Sequence, residues 1–295
     1  MAEVLSTDRR FWAVDKVCLA YLAFTTVLVI LGGSRVPLAQ LLLAAHVAAA
    51  LLIVLAAGSS GRASWLFRNW YPLVFVSLSF REMALLIEAV RTWRADQWLA
   101  DLDFAFWHAH PTVWLERIQG PLLTDTLQVV YTLFIPVVLA VPVILWWQRR
   151  YDDFRAVAFL IALGYLVSYI GYFIVPARGP RVLLAALQHA PLEGGWLFHL
   201  QQATLDQLES KHFDCFPSGH TELTILAWWS ARLISRRLFA AYGVYTVCIM
   251  FATVYLRYHY SVDVLAGVVT ALVLILAAPS LYRALSPKGE TRGSH

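Results

Sequence analysis

Charged residues are scarce in this chain. Only 14% of its 295 residues are Asp, Glu, Lys or Arg and 60% are hydrophobic, where a soluble domain carries about 25% charged and roughly 45–50% apolar residues. That shortage excludes a soluble globular enzyme, polar low-complexity disorder and a collagen-like rod. Cysteine is scarcer still. Cys18, Cys215 and Cys248 are too few for a disulfide scaffold, and the first and last lie inside apolar runs, which leaves Cys215 in polar sequence with no evident partner. No repeat of solenoid period and no separate soluble domain is visible. The net charge of +4 is mild, and in a chain of this composition it bears on orientation in a bilayer before it bears on nucleic acid, so no nucleic-acid partner is expected.

What the chain has in abundance is long apolar runs. A transmembrane helix needs about 20 mostly apolar residues, and eight such runs fall near 17–33, 37–57, 71–91, 124–147, 156–176, 219–235, 238–256 and 262–281. The expected fold class is all-α: a polytopic membrane protein of about eight transmembrane helices. Arg9, Arg10 and Lys16 ahead of a run ending in Gly32-Gly33-Ser34 imitate a secretory signal. No small-x-small cleavage site follows and further spans come at once, so the run reads as an uncleaved first span. Sorting the basic residues to alternating sides puts the larger share, including Arg9, Arg10, Arg149, Arg150, Arg236 and Arg237, with both termini. By the positive-inside rule that side is cytoplasmic. The expected location is a cell membrane, with the polar connections near 92–123 and 177–218 on the extracytoplasmic (periplasmic or lumenal) face. The first of these mixes Trp98, Trp107 and Trp114 with Asp101, Asp103, His108 and His110, which suits a short helix lying at a bilayer surface.

The outward face collects the chemistry. Past the fifth run come Pro176, Arg178, Gly179, Pro180 and Arg181; before the sixth comes Pro217-Ser218-Gly219-His220; between the last two comes Arg257-Tyr258-His259-Tyr260-Ser261-Val262-Asp263. Each element suits a phosphate. Guanidinium forks match its oxygens bidentately. A glycine lets backbone approach, and the N–H groups and positive dipole end of the following helix favour an anion. If a helix includes the turn before Ser261, His259 and Asp263 lie one turn apart, and a carboxylate there can accept the proton of one ring nitrogen and free the other as nucleophile or base. His220 is then available as general acid.

Other polar residues lie in or beside the spans. Arg81 and Glu82 sit inside the third run, about 100° apart on a helix, and serve either an ion pair or a substrate cavity. Glu222 reads as a polar residue of a first helical turn or as the rim of the pocket. His46 reads as an interhelical hydrogen bond.

At the outward residues the sequence resembles the type 2 phosphatidic acid phosphatases, which share a phosphate pocket with vanadium haloperoxidases. Pro217, Ser218, Gly219 and His220 match that family's second motif residue for residue. His259 and Asp263 match its third, with Thr253 in place of the arginine. Arg181 stands after a proline where the first motif has Arg-Pro, and Ile174 stands in the lysine place. These departures resemble the branch of the inositol phosphorylceramide synthases. The resemblance implies a six-helix catalytic core in 70–281, a two-helix extension in 1–69 and a cytoplasmic tail in 282–295. It implies attack by His259 on the phosphorus of a lipid phosphate, Asp263 supporting its imidazolium, and proton delivery by His220. It places Arg181, Ser218 and Gly219 on the phosphate oxygens, with Arg178, Lys211 and Arg257 as candidates for the missing cations. The implied activity is a phosphatase without metal or cofactor, or a transferase that hands the head group to an alcohol; a lipid transporter is the reading outside enzymes. The implied partners are the lipid substrate and the bilayer, and oligomeric state stays open.

Overall fold

In the computed structural model, which describes residues 10–196, 198–201 and 213–287, the chain is a bundle of helices with no strand among the described residues. In order these are α1 (Ala13–Gly32), α2 (Ala39–Gly58), α3 (Arg62–Val90), α4 (Asp96–Trp107), α5 (Pro121–Thr132), α6 (Phe134–Trp147), α7 (Tyr151–Ile174), α8 (Gly219–Ala231), α9 (Arg236–Tyr255) and α10 (Ser261–Leu285). Single turns at Pro111–Trp114 and Pro180–Leu183 interrupt the two polar connections.

Among the described residues five helices are long and apolar enough to cross a membrane: α1 with its extension to Arg35, α2, α7, α9 and α10. Helices α5 and α6 make a sixth span if taken together, bent by 42°. Pro136 supplies the cause of the bend. It has no N–H for the Thr132 carbonyl, and its ring crowds that oxygen. Two of the eight expected runs take other forms. The run at 71–91 belongs to a 29-residue helix that starts at Arg62, and Arg68, Asn69, Arg81, Glu82 and Glu88 dilute its apolarity. The run at 219–235 yields the 13-residue α8, about 20 Å long against a hydrocarbon core of about 30 Å.

Helix α8 is the axis of the bundle, with α6, α7, α9 and α10 packed around it. Its Leu223, Leu226, Ala227 and Ala231 meet Val138, Val141 and Leu145 of α6, Ile161 of α7, Ile249 of α9 and Ala271 of α10, all buried. Lipid is as apolar as these side chains, so close packing rather than water exclusion holds such helices together, and small residues let backbones approach. Gly267 of α10 is one. A Cβ there would lie 2.6 Å from the Ser218 carbonyl oxygen and 3.0 Å from Thr221 Cβ, so α10 runs hard against the start of α8.

Helices α1 to α3 are pinned by buried polar contacts. Asp15 of α1 accepts from the Arg68 guanidinium (2.7 Å) and the Tyr71 hydroxyl (2.8 Å) of α3, and the Arg68 guanidinium lies over the Trp12 ring. His46 of α2 bridges Thr26 of α1 (2.7 Å) and Glu82 of α3 (2.6 Å). Glu82 therefore has an interhelical partner, while its neighbour Arg81 is exposed on another side of the helix.

Gly267→Ala should destabilise the protein by about 1–3 kcal/mol, because the added methyl meets backbone that cannot yield. Gly58→Ala, with open space around its Cα, should be neutral or stabilising by up to about 1 kcal/mol. Thermal unfolding of both variants in one detergent checks the contrast.

Candidate active site

Helix α10 starts at Ser261, so His259 lies just before the helix rather than in its first turn. Asp263 reaches back to accept from the Tyr260 backbone N–H (2.8 Å). Because that carboxylate also accepts from the Cys215 thiol (2.8 Å), it stands 3.6 Å from His259 Nδ1, an ion-pair distance. The nearer partner of Nδ1 is the Cys215 carbonyl oxygen at 2.9 Å. A carbonyl only accepts, so Nδ1 carries the proton and the neutral ring keeps its lone pair on Nε2. That nitrogen faces His220 Nδ1 at 3.4 Å. The sequence-level assignment of Asp263 as the acceptor is thus shared with a main-chain oxygen that no side-chain pattern reveals.

Ser218 caps α8, its hydroxyl accepting from the Thr221 N–H and its own N–H donating to the Asp263 carbonyl (3.0 Å). Gly219 and His220 thus open a helix whose first N–H groups and dipole favour an anion. The His220 ring stacks on Tyr131 at 4.5 Å and touches Phe134 at 4.4 Å; Tyr131 stacks in turn on Tyr258 at 4.3 Å. Glu222, expected at a polar first turn or the pocket rim, is fully buried and accepts from Ser168 of α7 (2.7 Å).

The cations divide. Arg181 lies over the Tyr258 ring at 5.7 Å, and its N–H donates to the Arg257 carbonyl (3.1 Å). Arg178 is exposed, beside the Phe213 ring. Arg257 turns away: its φ of +66° is left-handed, and its guanidinium donates to Glu116 (2.9 Å), Gln188 (2.7 Å) and the Ala190 carbonyl (2.9 Å). Lys211 lies outside the described residues. The structure therefore gathers His259, His220, Asp263, Ser218 and Gly219 at one end of the bundle with Arg181 on their aromatic flank, and it turns the Arg257 guanidinium elsewhere.

Several residues at this end carry no motif. Asp96 at the start of α4 accepts from the N–H groups of Arg178 (2.9 Å) and Gly179 (2.8 Å). Gly179 has φ +95°, and a Cβ there would lie 2.6 Å from the Tyr258 oxygen. Asp103, two turns further along the same face of α4, accepts from the Ser261 N–H, the Ser261 hydroxyl and the Val262 N–H at 3.0, 2.7 and 2.9 Å. The tryptophans beside Asp103 signal a surface helix, but nothing local tells which amides its carboxylate meets. Burial, and after it the adjacent Asp263 carboxylate, pushes the Cys215 thiol well above its ordinary range. Its Sγ, His259 Nδ1 and an Asp263 oxygen lie within 4.8 Å of one another, the one His/Cys/Asp/Glu cluster of metal-binding geometry among the described residues.

A histidine pair thus stands at the N-terminus of a helix. A profile of the PAP2 superfamily matches residues 93–277, more than half of the chain, and the chain belongs to that superfamily. Residues of this chain are 32% identical over 137 positions to a PA-phosphatase related-family protein of Dictyostelium discoideum, covering 44% of this chain and 24% of that protein. The match thus spans about a quarter of the relative's length. No solved structure matches.

Asp103→Ala should remove three hydrogen bonds that hold the start of α10, costing about 1–2 kcal/mol, and should lower turnover by displacing His259. Asp101→Ala, whose carboxylate receives only Gln97 on the same helix among the described residues, should change neither. Unfolding and kinetics on the pair measure the difference.

Proposed function

We propose that the chain is a membrane lipid phosphate phosphatase acting through a phosphohistidine on His259. The observation that carries this reading is the 3.4 Å approach of His220 Nδ1 to His259 Nε2, with the other His259 nitrogen held by a carbonyl. His259 Nε2 attacks phosphorus, the bond to the leaving oxygen breaks, and His220 as imidazolium gives that oxygen its proton. Water then attacks the phosphohistidine, His220 takes the proton, and phosphate leaves. Asp263, 3.6 Å from Nδ1, offsets the positive charge the His259 ring gains. Arg181, Ser218 and the Gly219 N–H bind the equatorial oxygens as their charge grows, with Arg178 beside them and Lys211 kept as a further candidate cation. Arg257 reaches phosphate only by releasing Glu116. Cationic side chains do the charge neutralisation, so the proposed mechanism is metal-independent.

His259→Ala should abolish both turnover and a phosphoenzyme trapped by acid quench. His220→Ala should be severely impaired on alkyl phosphates yet partly rescued on an aryl phosphate whose leaving group needs no proton. Arg181→Lys should lose more kcat/KM than Arg178→Lys, because it keeps charge but loses the fork. Equal His220→Ala defects on both substrates would remove the general acid from the mechanism. A substrate panel scored for free phosphate decides the reaction; a new phosphodiester in its place would make the chain a head-group transferase of the inositol phosphorylceramide synthase type.

The proposed topology counts α3 and α8 as spans, giving eight, with both termini cytoplasmic, 1–69 as an extension, 70–281 as the catalytic domain and the histidines extracytoplasmic. Single cysteines at the exposed positions Ser34 and Ser60 should label from opposite sides of sealed vesicles, Ser34 from the outside. Labelling of both from one side overturns the arrangement.

A further inference from the structure

The Cys215 thiol donates to Asp263, yet the mechanism above uses only the Cys215 carbonyl. The thiol also stands 3.8 Å from His259 Nδ1. Three unlike donors therefore form a small triangle: Sγ to Oδ2 is 2.8 Å, Sγ to Nδ1 is 3.8 Å and Nδ1 to Oδ2 is 3.6 Å. With metal–ligand bonds of about 2.3 Å to sulfur and about 2.0–2.1 Å to nitrogen and oxygen, a tetrahedral zinc ion wants its ligands roughly 3.3–3.6 Å apart. Two sides of the triangle already have about that length, and the third must open by less than an ångström. A second observation points the same way. Asp263 is fully buried, and its Oδ1 has no hydrogen-bond partner among the described residues, which leaves a carboxylate oxygen there without a donor or cation to satisfy it.

We propose that Cys215, His259 and Asp263 form an inhibitory site for a thiophilic divalent cation, zinc above all, with the fourth position open. The donor set fits. Thiolate and imidazole select zinc over magnesium or calcium, which prefer oxygen alone. The proton balance gives the consequence for catalysis. The cation displaces the thiol proton, which leaves to solvent, and it occupies the lone pair of Nδ1, so the ring proton must move to Nε2. The neutral ring then carries N–H at the atom that attacks phosphorus, and the nucleophile is gone. One proton is released for each ion bound. Catalytic tautomer and metal-bound tautomer are mutually exclusive, so bound zinc switches the enzyme off without touching the phosphate cradle.

This inference rests on the proposed role of His259 for its effect on rate, but the binding itself is measured separately. The purified full-length chain in detergent is titrated with cobalt(II), whose tetrahedral d–d bands and thiolate-to-metal charge-transfer band report geometry and sulfur ligation. One ion per chain with both features is expected, with one proton released per zinc ion by calorimetry in buffers of different ionisation enthalpy. Zinc should inhibit turnover, and EDTA should restore it. Cys215→Ser should lose the charge-transfer band and bind zinc about 100-fold or more weakly, beyond the 10–100-fold that loss of an outer partner costs. The Cys18→Ala/Cys248→Ala double variant should keep band and affinity. A charge-transfer band absent from the unmodified chain, or one that survives in Cys215→Ser, overturns the proposal, and the proton count on the unmodified chain tests it even where Cys215→Ser does not fold. A chain that binds cobalt through Cys215 yet turns over no lipid phosphate leaves the metal site standing and removes the phosphatase reading alone.

Discussion

A backbone amide removed from water must find an acceptor within the protein, and in a bilayer that demand is at its most severe. The segments that carry the proposed catalytic side chains are the ones least able to meet it, because they are turns and helix starts. Carboxylates from elsewhere in the chain meet it for them. Asp96 takes the amides of Arg178 and Gly179, Asp103 takes those of Ser261 and Val262, and Asp263 takes that of Tyr260, while the main-chain oxygen of Asp263 takes the amide of Ser218. Every one of these bonds joins or shapes a segment of the proposed site. The arginine turn, the Ser-Gly-His helix start and the His259 turn are thereby fixed through their backbone amides.

Helix α4 is the device that makes this possible. Asp96 and Asp103 are seven residues apart and so share a face, together with the buried Leu99 and Ala100, while Trp98, Phe104, Phe106 and Trp107 are exposed. A helix with acids and small apolar residues inward and large aromatics outward is suited to a bilayer interface. It also lies across the top of the bundle, joining the turn after α7 to the start of α10. Opposite it, Arg257 ties the segments around Glu116 and Gln188 into a second clasp. Both partners of that ion pair are nearly buried, at 5% and 12% side-chain exposure, so loss of either would strand a charge.

How much of this the sequence reveals depends on how local the cause is. The apolar runs at 17–33, 37–57, 156–176, 238–256 and 262–281 each lie within or largely within a helix fit to span, because hydropathy over 20 residues is a local property. The run at 71–91 conceals nine helical residues ahead of it, since Arg62, Arg68 and Asn69 look like loop until Arg68 meets Asp15 from α1. The run at 124–147 conceals a bend, although Pro136 was there to be read. At the site, the histidines stand beside helix starts as their motifs suggest. The tautomer of His259 was not legible, because its partner is a carbonyl 44 residues away, and a carbonyl has no letter. Asp96, Asp103 and Tyr131 were hidden for the same reason: each acts at a distance in sequence and carries no spacing of its own.

The bend at Pro136 is more than an irregularity of packing. Tyr131 ends the turn before it and Phe134 begins the turn after it, and both rings meet His220. Residues three apart on a straight helix point the same way with their Cβ atoms about 5–6 Å apart, and two aromatic rings so placed would pack on each other. Breaking the helix at Leu133 separates their directions, so the angle between α5 and α6 sets the shape of the slot that receives the imidazole. The electron-rich faces of that slot favour a cationic ring, which offsets part of what burial takes from it. The stack continues through Tyr258 towards the Arg181 guanidinium. A proline with no polar atom to offer thus governs, through one missing hydrogen bond, how the histidine proposed as general acid is held against its partner.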